Sequence, residues 1–149
     1  MATVQKTIEV DQPVTTVYNQ WTQFESFPEF MRGIEDVRQL DDKTLHWKAD
    51  IGFVTREWDA EITEQVPDRT IAWRSIGDVR NDGRVSFQPV VGDRTRVIVR
   101  LDYDPHGFME KAGDKLNIVD QRVEGDLKRF KEFIEGRGPE TGAWRGEIR

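Results

Sequence analysis

One apolar stripe near the C-terminal end constrains this chain more than anything else in it. Phe108, Ala112, Leu116, Val119, Val123, Leu127, Phe130 and Ile134 follow one another at intervals of 4, 4, 3, 4, 4, 3 and 4 residues. That is the repeat of one face of an α-helix. After Pro105 and up to Gly136 it predicts a helix of roughly thirty residues, about 45 Å long at 1.5 Å per residue. A stripe of that length must be covered by an apolar surface of comparable length. A chain of 149 residues forms one domain, so the surface must come from its own remaining residues.

Those residues carry the other period. From Ile34 to Tyr103 the signal is strands and turns, with strands expected near 34–40, 43–50, 54–66, 69–75, 83–89 and 94–103. Asp41–Asp42, Gly52, Pro67–Asp68, Gly77 to Gly83 and Gly92–Asp93 punctuate them. Leu45, Trp47 and Ala49 share one parity; Val54, Trp58, Ala60 and Ile62 share another. Ile71 with Trp73, Val85 with Phe87, and Val97, Val99 and Leu101 continue the pattern. Lys48, Glu57, Asp59, Glu61, Arg74, Arg96 and Arg100 fall between them. The result is an antiparallel sheet, apolar on one face and wet on the other. Residues 3–10 read as one more strand. Asp11 and Pro13 then start a helix carrying Val14, Val17, Tyr18 and Trp21. Ser26 and Pro28 start a second, shorter helix that Gly33 ends. Residues 137–149, "RGPETGAWRGEIR", read as a flexible tail beyond a domain of residues 1–136.

Composition narrows the function. Charged residues are 34% and hydrophobic ones 36%, with a net charge of −6 and the signs interspersed, which argues against nucleic acid or an anionic membrane as partner. No cysteine is present, so a thiolate site and a disulfide framework are excluded. The start, "MATVQKTIEV", lacks the apolar core of a signal peptide, and no run approaches the roughly 20 apolar residues of a spanning helix. A cytoplasmic protein without stable membrane insertion is expected. His46 and His106 are 60 residues apart, with no HExxH or CxxC, so no metal is expected. No glycine-rich phosphate loop appears either, and no cofactor is expected.

The order strand, two short helices, six strands, long helix resembles the helix-grip fold of the START/Bet v 1-like superfamily, within its polyketide cyclase/dehydrase and lipid-transport branch. "VYNQWTQFESFPEFM" (17–31), "REWDAEITEQVPDRTIAW" (56–73) and "VEGDLKRFKEFIE" (123–135) carry the resemblance, which covers residues 3–136. It implies an α+β fold, with a seven-stranded antiparallel sheet wrapped around the C-terminal helix and a cavity between them. It implies a hydrophobic small-molecule ligand, such as a lipid, a quinone or a polyketide-like compound. In aromatase/cyclase members a strand tryptophan is followed four positions later by a cavity arginine. Trp58 matches the tryptophan, but Ile62 stands at the arginine position. That departure weighs against cyclisation by that route and toward binding.

The candidate ligand-binding residues follow. Trp47, Trp58 and Trp73 have inward parity on three successive strands, joined by Phe87 and Val99. Phe27, Phe30 and Met31 would form a rim beside a core of Trp21 and Phe24; Leu116, Val119 and Val123 would face them from the long helix. Aromatic residues of this kind either fill a core or line a pocket. Polar candidates for chemistry are few: Arg56, Ser75, Tyr103 and Asp120. Arg56 has inward parity, where an unpaired guanidinium is costly, so it must reach solvent at the strand's start, pair with a carboxylate such as Asp120, or face a polar group of the ligand. Glu57, Asp59 and Glu61 read as a solvated face. Ile118 with Phe133, or Trp144 in the tail, would serve a protein-interaction role.

Overall fold

The computed structural model describes residues 2–51, 54–77, 80–104, 115–137 and 139–149. Seven strands are present: β1 (Ala2–Val10), β2 (Ile34–Gln39), β3 (Thr44–Ile51), β4 (Val54–Val66), β5 (Thr70–Ile76), β6 (Asn81–Val90) and β7 (Arg94–Tyr103). Helix α1 (Val14–Trp21) and a 3-10 helix (Phe24–Glu29) lie between β1 and β2, and α2 (Lys115–Arg137) follows the sheet. The expected part of the long helix before Lys115, with His106, Phe108 and Ala112, lies outside the described residues.

All pairings are antiparallel, in the order β1-β7-β6-β5-β4-β3-β2. β1 joins β7, so the chain's first strand sits at the opposite edge from β2. The α1 and 3-10 segment must therefore cross from one edge to the other, and its side chains close one end of the sheet. Alternation in β7 is direct: Val97 and Val99 are buried while Arg96 and Arg100 are not. The wet face carries cross-strand pairs such as Arg74–Glu61 at 3.1 Å and Arg84–Glu64 at 2.9 Å. A shift in register between Ile62 and Glu64 interrupts the alternation of β4: Trp58, Ala60 and Ile62 are buried before it, and Gln65, of the opposite parity, is buried after it. On α2, Val119, Leu127, Phe130 and Ile134 are buried, four members of the stripe in the sequence. The long helix on the apolar face of the sheet is what the two periods predict, and the whole is the helix-grip arrangement that the resemblance implies.

The segment after α2 departs from expectation. Where the sequence reads as a flexible tail, residues 139–149 lie along α1 and β4. Gln65 and Ile148 exchange backbone hydrogen bonds of 2.8 Å, and Ile148 is buried. Gln20 donates to Thr141 at 3.0 Å and accepts from its backbone N–H at 2.9 Å. Arg145 pairs with Asp68 at 2.9 Å and donates to Asn19 at 2.7 Å. The physical reason is polar satisfaction: Asn19 and Gln20 are buried on α1, and buried polar groups need partners. The tail supplies them from more than a hundred residues away. Trp144, one candidate for outside contacts, packs partly buried against the core.

Candidate functional site

The site begins with a register. Trp47 and Trp58 stand directly opposite each other on β3 and β4. Neighbours in register project from the sheet in the same direction. Their indole planes are 2° from parallel, with centroids 6.1 Å apart. On β5, Trp73 pairs with Gly83 of β6, and its ring lies where a glycine Cβ would otherwise be. Any side chain at Gly83 would overlap that ring, so the glycine lets the indole lie back against the sheet. The three tryptophans form one aromatic wall.

Opposite the wall, space remains. A cavity of about 130 Å³ lies between sheet and α2. Trp21, Phe27, Met31, Ile34, Trp47, Ala49, Trp58, Trp73, Val99, Leu101, Val119, Val123 and Leu127 give it an almost wholly apolar lining. Two of the lining tryptophans, Trp21 and Trp47, keep their indole N–H groups buried without a hydrogen-bond partner among the described residues. Asn81 lines the cavity as well, and its side-chain oxygen is likewise buried without a partner.

The charged groups of the lining gather together. They are Arg32, Arg122 and Asp126. Gly33, with φ of +93°, turns the chain after the 3-10 helix, and its missing Cβ leaves the place that the Arg122 guanidinium occupies. Arg122 donates from that place to the carbonyl oxygens of Arg32 at 3.0 Å and Asp50 at 3.3 Å. Asp126 is ion-paired with Arg129 and accepts the backbone N–H of Arg32 at 3.1 Å. Burial nevertheless dominates and pushes its carboxyl up to about 6. Arg129 also donates to the Phe30 carbonyl at 3.1 Å, tying α2 to the 3-10 segment.

Of the residues expected to meet a ligand, Phe27, Met31, Trp47, Trp58, Trp73, Val99, Val119 and Val123 line the cavity. Phe30 and Phe87 do not. Phe30 packs on Trp21, Phe130 and Phe133, and Phe87 on Tyr18 and Trp21. The side chain of Leu116 lies outside the described residues. Phe27, expected at the rim, is buried, and Trp21, expected in the core, reaches the cavity.

The four candidates for chemistry are not gathered in the cavity lining. Arg56 is half-buried on β4, opposite Ala49 of β3. Asp120 does not serve it; Asp120 pairs with Lys6 of β1 at 2.7 Å. Ser75 is held by Asp82 and accepts the Asn81 backbone N–H at 3.1 Å. Tyr103 is fully buried, and burial first, then the Asp120 charge, raises its phenol. Glu57, Asp59 and Glu61 do form the solvated face. His46 lies between the first two, 3.0 Å from Glu57 and 2.7 Å from Asp59, and the hydrogen bond to Asp59 raises its imidazole. No group of three or more possible metal ligands occurs among the described residues. No helix among them is long and apolar enough to cross a membrane. The sequence reading missed Arg32, Arg122 and Asp126. Asp126 and Arg122 flank stripe positions Leu127 and Val123, the one signal that would have placed them near the helix's inner face.

Comparison with known proteins agrees with this architecture. Residues 10–132 match the family described as polyketide cyclase / dehydrase and lipid transport. An uncharacterized 17.2 kDa protein of Streptomyces lincolnensis is 48% identical over 149 residues, spanning 99% of both chains. The crystal structure of a Deinococcus radiodurans protein is 30% identical, with a TM-score of 0.72, over 91% of this chain and 99% of that one. The Zhui aromatase/cyclase of a Streptomyces species has a TM-score of 0.76 at 17% identity, over 96% and 99% of the two chains, and so shares the fold.

Proposed function

We propose that this chain, which belongs to the polyketide cyclase/dehydrase and lipid-transport family of the START/Bet v 1-like superfamily, binds or carries a hydrophobic small molecule between its sheet and long helix. The observation that carries the proposal is the aromatic-walled cavity, apolar along most of its lining. Trp47, Trp58 and Trp73 offer faces to a flat or elongated apolar body, with Phe27, Met31, Val99, Val119 and Val123 around it. A lipid, a quinone and a polyketide-like compound each offer such a body.

The test is native mass spectrometry of protein purified from its own host, with solvent extraction of whatever is bound. A stoichiometric apolar compound is expected. Protein that arrives empty, and whose tryptophan fluorescence is unmoved by a panel of lipids, quinones and polyphenols, would sink the proposal.

A second reading is turnover of a cavity-bound, polyketide-like intermediate by a cyclase or dehydratase. It is favoured by Asp126, a buried carboxyl at the cavity whose proton affinity lies near neutrality, as a group that moves protons requires. Asp126→Asn would abolish turnover while leaving binding intact; a carrier would show no turnover to lose.

A further inference from the structure

We infer that the ligand is an acid: its apolar body enters the aromatic cavity and its ionised carboxylate rests at the mouth on Arg32 and Arg122. The inference rests on the cavity being a binding site. It adds the chemical class of the head group and the end at which that group sits.

Three observations lead there. The first is charge. Arg32, Arg122 and Asp126 are the charged groups in the lining, and Asp126 is already engaged by Arg129 and by the Arg32 backbone N–H. No hydrogen bond or ion pair engages the Arg32 side chain among the described residues, and Arg122 bonds only to neutral carbonyl oxygens. The two guanidinium groups therefore share this mouth with a single carboxylate, Asp126, which feels the Arg122 charge but is ion-paired with Arg129. The chain as a whole carries a net charge of −6, so a local positive mouth runs against its general field.

The second observation is that the mouth is built. Gly33 takes a positive φ, and the space a Cβ would fill holds the Arg122 guanidinium. The backbone carbonyls of Arg32 and of Asp50 in β3 both accept from Arg122 Nη1 and anchor that edge of the guanidinium. A planar guanidinium fixed in this way presents its remaining N–H groups in a set direction, which suits an oxyanion.

The third is the rest of the lining. Away from these arginines it is almost wholly apolar, with Trp47, Trp58, Trp73, Val99 and Val119 along it, so the body of the ligand is apolar and its charge belongs with Arg32 and Arg122.

A matched pair of probes separates head group from cavity. A naphthoic acid and the corresponding naphthamide have nearly the same shape, and both carry a carbonyl; only the acid is charged at neutral pH. By titration calorimetry the acid should bind about tenfold more tightly, the size expected of one charge-assisted hydrogen bond. Arg32→Gln keeps the backbone N–H that Asp126 uses and should erase most of that preference; Arg122→Gln, checked for folding by circular dichroism, should do the same. Equal binding of acid and amide would overturn the acid assignment and leave the cavity reading standing. If neither probe binds and the panel of neutral apolar compounds also fails, both fall together.

Discussion

The interface between sheet and long helix has two ends, made from the same residue types and packed differently. At one end Trp21, Phe27, Phe30 and Phe130 meet edge to face or tilted, with centroids 5.1–6.2 Å apart and planes 51–69° apart. Phe130 is completely buried there. At the other end Trp47 and Trp58 lie 2° from parallel. The difference comes from the elements. Helical residues leave the backbone at many azimuths, so their rings interlock. Strand residues in register leave it in one direction, so their rings lie parallel and stack on each other instead of interlocking. Aromatic content alone therefore does not distinguish core from pocket: Trp21 and Phe27 reach the cavity from helices, while Phe87 on a strand packs on Tyr18 and Trp21.

The comparison can be broken from either side. The largest effect belongs to the interlocked end. Phe130→Ala removes a ring that touches Trp21 and Phe30 and should cost about 3–5 kcal/mol in urea denaturation. A cost under about 1 kcal/mol would mean that this end is as loosely filled as the other.

Next comes the buried carboxyl of the cavity lining. The Asp126 carboxyl is raised from 3.8 to about 6, so the folded state holds its proton more tightly than the unfolded state does. Stability then falls as pH rises from about 4 to about 6, by up to about 3 kcal/mol, and the penalty is relieved as pH falls back through that window. Asp126→Asn, measured by denaturant midpoint at both ends of the window, should lose that slope. An unchanged slope would assign the titration to other groups.

The tail sharpens the comparison further. Truncation after Gly138 exposes Asn19, Gln20 and Gln65 and removes the buried Ile148, a loss of about 2 kcal/mol. It acts on the α1 side, so binding of apolar probes should survive in whatever fraction stays folded. Loss of binding at full folding would show that the two ends are coupled. The smallest effect on stability is expected of Gly83→Ala, about 1–2 kcal/mol. The new methyl displaces the Trp73 ring from its place over Gly83, and probe affinity should fall more than stability does. Equal affinity in this variant would remove Trp73 from the wall.

How far the sequence reaches can be seen in single residues. Trp47, Trp58, Val99 and Val119 were legible because inward parity and helical spacing are local properties, set by the two faces of a strand and the stripe of a helix. The same rules put Phe30 and Phe87 with them, since parity says which face a side chain takes and nothing about whether a neighbour fills the space beyond it. Arg32, Arg122 and Asp126 were not legible. Their roles depend on a positive-φ glycine at 33 and on a helix residue 89 positions away that reaches into the gap it leaves. Gly83 read as the end of a turn because its partner, Trp73, is set by strand pairing.

Periodicity by itself determined the strands, the long helix, their apolar faces and hence the grip of one on the other, because burying an apolar face is a demand each segment carries in its own residues. Only the tertiary structure decided which end of that interface closes, which charges meet at the mouth, and that residues 139–149 complete α1. Those outcomes depend on contacts between segments far apart in the chain, whose distances no local pattern encodes.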